Sequence, residues 1–179
     1  MRTLSIILLL FSFITGNGQS SNDLQHLNTS PIITKEQNIK WLKIIDSLSL
    51  HDKVIFLSER INNDTNIYVY QKGKDVIRLE PGRETFLSSK LKGCCKPVLM
   101  IEGKIIHLFF DGPTTYARMQ LNLSIVKDLL QISNIEDITM LSGDKSASIF
   151  GPQGEDGAII ITLKDKKSKK RLRKIKSPL

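Results

Sequence analysis

The chain has 179 residues, 40% of them hydrophobic, with 26 Lys or Arg against 18 Asp or Glu and a formal net charge of +8. That length suits one domain with a core of its own. The charge is placed unevenly: residues 164–179 hold nine Lys or Arg and one acid, which leaves 17 basic and 17 acidic residues upstream, so the body is neutral and is not a domain coated with basic residues for nucleic acid.

Residues 1–18 read as a secretory signal peptide. Arg2 supplies the positive start, Leu4 to Ile14 is almost wholly apolar, and Gly16-Asn17-Gly18 offers small residues for cleavage before Gln19. The apolar run falls short of the roughly 20 residues that span a bilayer, and no cysteine near the cleavage point could take a lipid. The expectation is export, to the periplasm or the outer membrane. Residues 19–33 are polar, contain Pro31 and keep no period, which predicts a flexible extension.

Residues 34–96 read as a helix-and-hairpin region. Thr34 and Gln37 have capping-box spacing, and Ile39, Leu42, Ile45 and Leu48 recur at helical spacing beside Trp41 and Ile44. This predicts an amphipathic helix anchored in the core by Trp41. "KVIFLSE" is a short apolar run; "NIYVY" alternates as a strand, and "QKGKD" separates it from "VIRLE", predicting a hairpin across Gly73. Pro81-Gly82 stops the second strand, and "ETFLSSKLKG" is a short helix or a loop.

In residues 97–164, "PVLMIEGKIIHLFFDGP" predicts two strands around Glu102-Gly103, closed by Asp111-Gly112-Pro113. A helix is expected from Ser124, with Ile125, Leu129 and Ile132 on one side. Ile138 to Leu141 reads as a strand, Asp144 to Phe150 as a short helix and Ala158 to Leu163 as a buried strand. The fold class that follows is α+β, a small mixed sheet with short helices.

The connection "GPQGEDG" puts Gly151, Gly154 and Gly157 at three-residue spacing between that short helix and the last strand. A dinucleotide site runs strand, glycine turn, helix, so that phosphate meets a helix N-terminus. Here the order is reversed, and the helix end carries partial negative charge. The glycines are expected to be architectural: Gly151 as a helix terminator, Gly154 and Gly157 as turn residues.

"NIEDITMLSGDKSASIFGPQGEDGAIIITLK" resembles the closing segment of the plug domain of TonB-dependent outer-membrane receptors, particularly the SusC/RagA-like group of Bacteroidetes. The resemblance rests on Ile135, Ile138, Leu141, Gly143, Ala147, Gly151, Gly154, Gly157, Ile159, Ile161 and Thr162, with Phe150 in place of the family's usual tyrosine. Upstream, "KPVLMIEGKII" is similar to the family's opening strand, with Pro97, Glu102 and Gly103 matching its proline and acid-glycine turn. It implies a plug-like region over residues 97–164 and a place in the bacterial envelope, with an outer-membrane barrel or TonB-system protein as partner. The sequence holds no series of alternating strands able to form a barrel, so transport by this chain alone is not expected.

Enzymatic signatures are sparse, and no cofactor motif is found. His26, His51 and His107 lack zinc-ligand spacing. Ser142 to Lys145 fits S-x-x-K, but its companion motifs are missing. Cys94 and Cys95 are the only cysteines. Adjacent in a chain bound for an oxidising compartment, they could form a vicinal disulfide, a metal thiolate pair, an intermolecular bridge or two half-buried thiols. Residues 165–179 read as a basic disordered tail in which Lys169, Lys170, Arg171, Arg173 and Lys174 could bind anionic envelope polymers or lipids. Export argues against nucleic acid. The expected function is a non-enzymatic binding module at the cell envelope, with a thiol- or metal-responsive protein or an anionic-surface binder as alternatives.

Overall fold

A computed structural model describes residues 31–69 and 81–175. The expected signal peptide, the hairpin across Gly73 and His26 lie outside the described residues. The α+β expectation holds: helices and two small sheets are joined by one core that runs from Ile32 to Ile175.

Helix α1, Lys35–Asp46, begins at the expected capping box. Thr34 Oγ1 accepts from the Gln37 N–H at 3.2 Å, and Gln37 Oε1 accepts from the Thr34 N–H at 3.0 Å. It buries Trp41, Leu42 and Ile45. The expected extension ends sooner than its composition suggests: Ile32 is buried, and the Ile33 N–H donates to Gln37 Oε1.

Helix α2, Leu50–Asp64, absorbs the apolar run "KVIFLSE". A short run of this kind has no diagnostic period. Its wider context does, because Val54, Leu57, Ile61 and Asp64 fall on one buried stripe while Ile55 remains exposed. Ser49 caps this helix by accepting from the Asp52 N–H.

Strand β1, Ile67–Val69, forms where "NIYVY" predicts it. Helix α3, Arg83–Ser88, follows Pro81-Gly82. Strand β2, Leu91–Gly93, pairs in parallel with β1 and has no counterpart in the sequence expectations.

The main sheet is built from β3 (Val98–Ile101), β4 (Lys104–Ile106), β5 (Ile135–Leu141) and β6 (Ala158–Leu163), in the order β4-β3-β6-β5. β3 and β4 are the expected hairpin around Glu102-Gly103. β6 runs parallel to β3 and antiparallel to β5. Ala158, Ile159, Ile161 and Leu163 are all buried, as in a central strand covered on both faces. Lys53 Nζ of α2 donates to the Ile138 carbonyl of β5 at 3.2 Å.

Helix α4, Pro113–Leu129, starts eleven residues before the expected Ser124. Asp111-Gly112-Pro113 ends one element and begins the next, with proline in the first turn, where its missing N–H has no cost. The buried stripe Met119, Asn122, Leu123, Val126 and Leu129 contains a polar member, and Leu121 points to solvent, so the apolar period is weak at its start. Helix α5, Gly143–Phe150, and a 3-10 turn, Gly151–Gly154, lead into β6.

The last element corrects the sequence reading. Residues 165–175 are not a disordered arm: helix α6, Lys166–Leu172, is capped by Asp165 and packs against α4, with Leu172 and Ile175 buried. Two apolar residues at three-residue spacing, with a capping acid, outweigh the like-charge repulsion. Among the described residues no helix is long and apolar enough to cross a membrane.

Candidate functional site: a glycine closure, a buried charge network and a basic helix face

The six motif residues occupy two turns and one junction. Gly103 forms the β3–β4 turn with φ +76°, and Pro97 is buried just before β3. Gly143 opens α5, and Gly151 follows it. Gly154 and Gly157 show why side chains are excluded. A Cβ on Gly154 would run into the Ser146 carbonyl of α5. Gly157 combines φ +91° with a close approach: its Cβ would lie 2.5 Å from Leu42 Cδ1 and 2.9 Å from the Leu141 carbonyl. The connection therefore seats β6 against α5, β5 and α1, and the Asn38 amide fastens it by donating to the Asp156 carbonyl at 2.8 Å.

Beside this closure lies a charged network that the sequence reading missed. Arg60 Nε donates to both carboxylate oxygens of Asp64 at 2.9 Å, and Arg60 Nη2 donates to Asn38 Oδ1 at 3.2 Å. The guanidinium carbon sits 5.1 Å from the centre of the Trp41 ring. Lys96 is 1% exposed. Its ammonium donates to the Asp64 carbonyl at 2.7 Å and the Leu108 carbonyl at 2.9 Å, and lies 4.9 Å from the Phe110 ring centre.

Burial governs the protonation of this network. Desolvation lowers the Lys96 pKa to about 8, opposed by the Asp64 charge. Desolvation also raises the Asp64 carboxyl above its ordinary range, against the pull of Arg60 and Lys96. Asp156 is raised by desolvation, partly offset by the hydrogen bond it accepts from the Lys96 N–H. The available signal was the i, i+4 pair Arg60 and Asp64 on the apolar stripe of α2. That signal required "KVIFLSE" to be read as helix.

Cys94 and Cys95 precede Lys96 and are joined to each other, so among the sequence alternatives the structure holds the vicinal disulfide. Cys95 is buried and Cys94 exposed. The Cys94 N–H donates to the Ile33 carbonyl at 3.1 Å. Among the described residues no group of three or more His, Cys, Asp or Glu is arranged to hold a metal. Ser142 and Lys145 of the S-x-x-K match are both exposed.

The basic helix α6 is held on one side and open on the other. Asp165 Oδ1 accepts from the Lys167 and Ser168 N–H groups at 2.7 and 2.9 Å, while Ser168, Leu172 and Ile175 face inward. Lys170, Arg171, Arg173 and Lys174 are exposed, whereas Lys169 pairs with Glu102 at 3.0 Å. Glu102 also accepts from the Leu163 N–H, the leading reason its carboxyl is held below its usual range. Lys104 reaches the Ile175 carbonyl. Together Glu102, Lys104, Lys169, Leu172 and Arg173 line a groove of about 410 Å³.

The chain matches no protein-family model, no curated protein and no solved structure.

Proposed function

We propose that the chain is an exported, non-enzymatic interaction module of the bacterial cell envelope, in which residues 97–164 act as a plug-like recognition domain without transport of their own. The observation that carries this reading is the glycine closure. Gly154 and Gly157 stand where neighbouring backbone and Leu42 leave no space for a side chain, so the motif behind the plug resemblance has a definite structural use. Because the resemblance supplies the partner class, the step from motif to partner is an argument by analogy. The partner it implies is an outer-membrane barrel or a TonB-system protein.

Affinity capture from solubilised envelope tests the reading, using the mature chain and a variant with Lys166, Lys170 and Lys174 changed to Ala. Recovery of a barrel or TonB-system protein by both forms supports a module that works through the plug-like region. Folded protein that recovers neither overturns it.

The joined Cys94 and Cys95 favour a second reading, a thiol-responsive envelope protein. An external dithiol would supply two electrons and two protons, releasing both cysteine thiols and leaving as a disulfide. Thiol titration of native protein should find no free thiol before such treatment and two after it. Free thiols in untreated protein would count against this reading.

A further inference from the structure

The geometry of α6 points to a docking face for an anionic lipid surface, a proposal that does not depend on the plug resemblance. Lys166, Lys170 and Lys174 recur at i, i+4 and i+8 and are exposed. Lys167 and Arg171 flank them on one side and Arg173 on the other, all exposed. Ser168, Leu172 and Ile175 occupy the opposite face and are buried. Like charges four residues apart destabilise a helix by themselves. Here docking and the Asp165 cap hold them in one array, whose mutual repulsion an opposing sheet of negative charge would relieve.

Several features favour a lipid surface as the occupant. Lys166, Lys167, Lys170 and Arg171 lie on the exposed side of a short surface helix, and Arg173 and Lys174 continue the array in the turn that follows it, a shape that meets a planar array of headgroup phosphates. No aromatic residue lies in residues 164–175 to stack on a nucleic-acid base. Leu172 and Ile175 are committed to the core, so contact is electrostatic rather than by insertion. The adjoining groove adds little to this face, because Glu102 lines it and pairs with Lys169, leaving Arg173 as its exposed basic member.

Flotation of the full mature chain with vesicles tests this, comparing phosphatidylglycerol–phosphatidylcholine mixtures with phosphatidylcholine alone. Binding should require the anionic lipid and weaken steeply with salt. Each basic residue removed from the face should lower partitioning about fivefold, so the Lys166→Ala, Lys170→Ala, Lys174→Ala variant should lose about 100-fold. A control with Lys43, Lys92 and Lys145 changed to Ala removes equal charge from other exposed positions. Retained binding by the control supports the proposal, and equal loss in both variants overturns it as an effect of net charge. Displacement by inorganic phosphate at the same phosphate concentration would make the isolated phosphate group the ligand and overturn the lipid surface. A chain that ignores anionic vesicles but binds single-stranded nucleic acid would also overturn it.

Discussion

Around Arg60 and Lys96 positive charge is buried and held by a carboxylate and carbonyl groups, whereas on α6 it is exposed and ranged along one face. The two regions contain the same residue types and answer to different physics. Inside, each cation sits in a medium that penalises charge, so geometry must compensate for desolvation. Outside, water and salt screen each cation, and its influence on folding is small. The buried set ties α1 and α2 to the glycine connection through Asn38, which accepts from Arg60 and donates to the Asp156 carbonyl. The exposed set could change without disturbing the core, which leaves it free to serve a partner.

Breaking the buried set should have the largest effect. Asp64→Ala leaves Arg60 without its carboxylate partner and should cost about 3–5 kcal/mol in denaturant unfolding. A loss below about 1 kcal/mol would place the network at the surface in solution.

The pH response sharpens the same contrast. Lys96 has a folded-state pKa of about 8 against an ordinary 10.5, so the unfolded chain holds its proton more tightly. Its contribution is therefore unfavourable below about pH 8, and stability should rise between the folded and unfolded values, by on the order of 3 kcal/mol. Measuring stability across this window for the parent and Lys96→Met isolates the effect. Matching slopes would mean that Lys96 is solvated.

Gly154→Val drives a branched side chain against the Ser146 carbonyl and should cost about 1–3 kcal/mol. An unchanged melting temperature would remove the closure from the account. The smallest effect belongs to the basic face. Replacing Lys166, Lys170 and Lys174 with Ala should shift stability by no more than about 0.5 kcal/mol, toward stabilisation, because repulsion falls and helix propensity rises. A large destabilisation would show that these side chains support the fold.

The elements most legible in the sequence were those whose signal is local. Thr34 and Gln37 announce the start of α1, Glu102-Gly103 announces the β3–β4 turn, and Gly151 ends α5. Where several signals compete, the reading weakened. "KVIFLSE" is apolar enough for a strand, and only the longer stripe to Asp64 identifies α2. Asn122 interrupts the early period of α4. In residues 165–175 the density of charge hid two buried apolar residues, Leu172 and Ile175, and a capping acid. The buried network was harder still, because Asn38 and Lys96 come from segments separate from the Arg60–Asp64 pair of α2 and only the tertiary fold brings them to it.

The basic face requires α6 to be a docked helix rather than a loose basic arm. Amide hydrogen exchange of the full chain, followed at residues 169–175, tests this directly. The N–H groups of Lys169, Lys174 and Ile175 donate to the carbonyls of Asp165, Arg171 and Leu172, so slow exchange relative to an unstructured peptide is expected there. Exchange at the unstructured rate throughout the segment would contradict the docked helix and the basic face built on it.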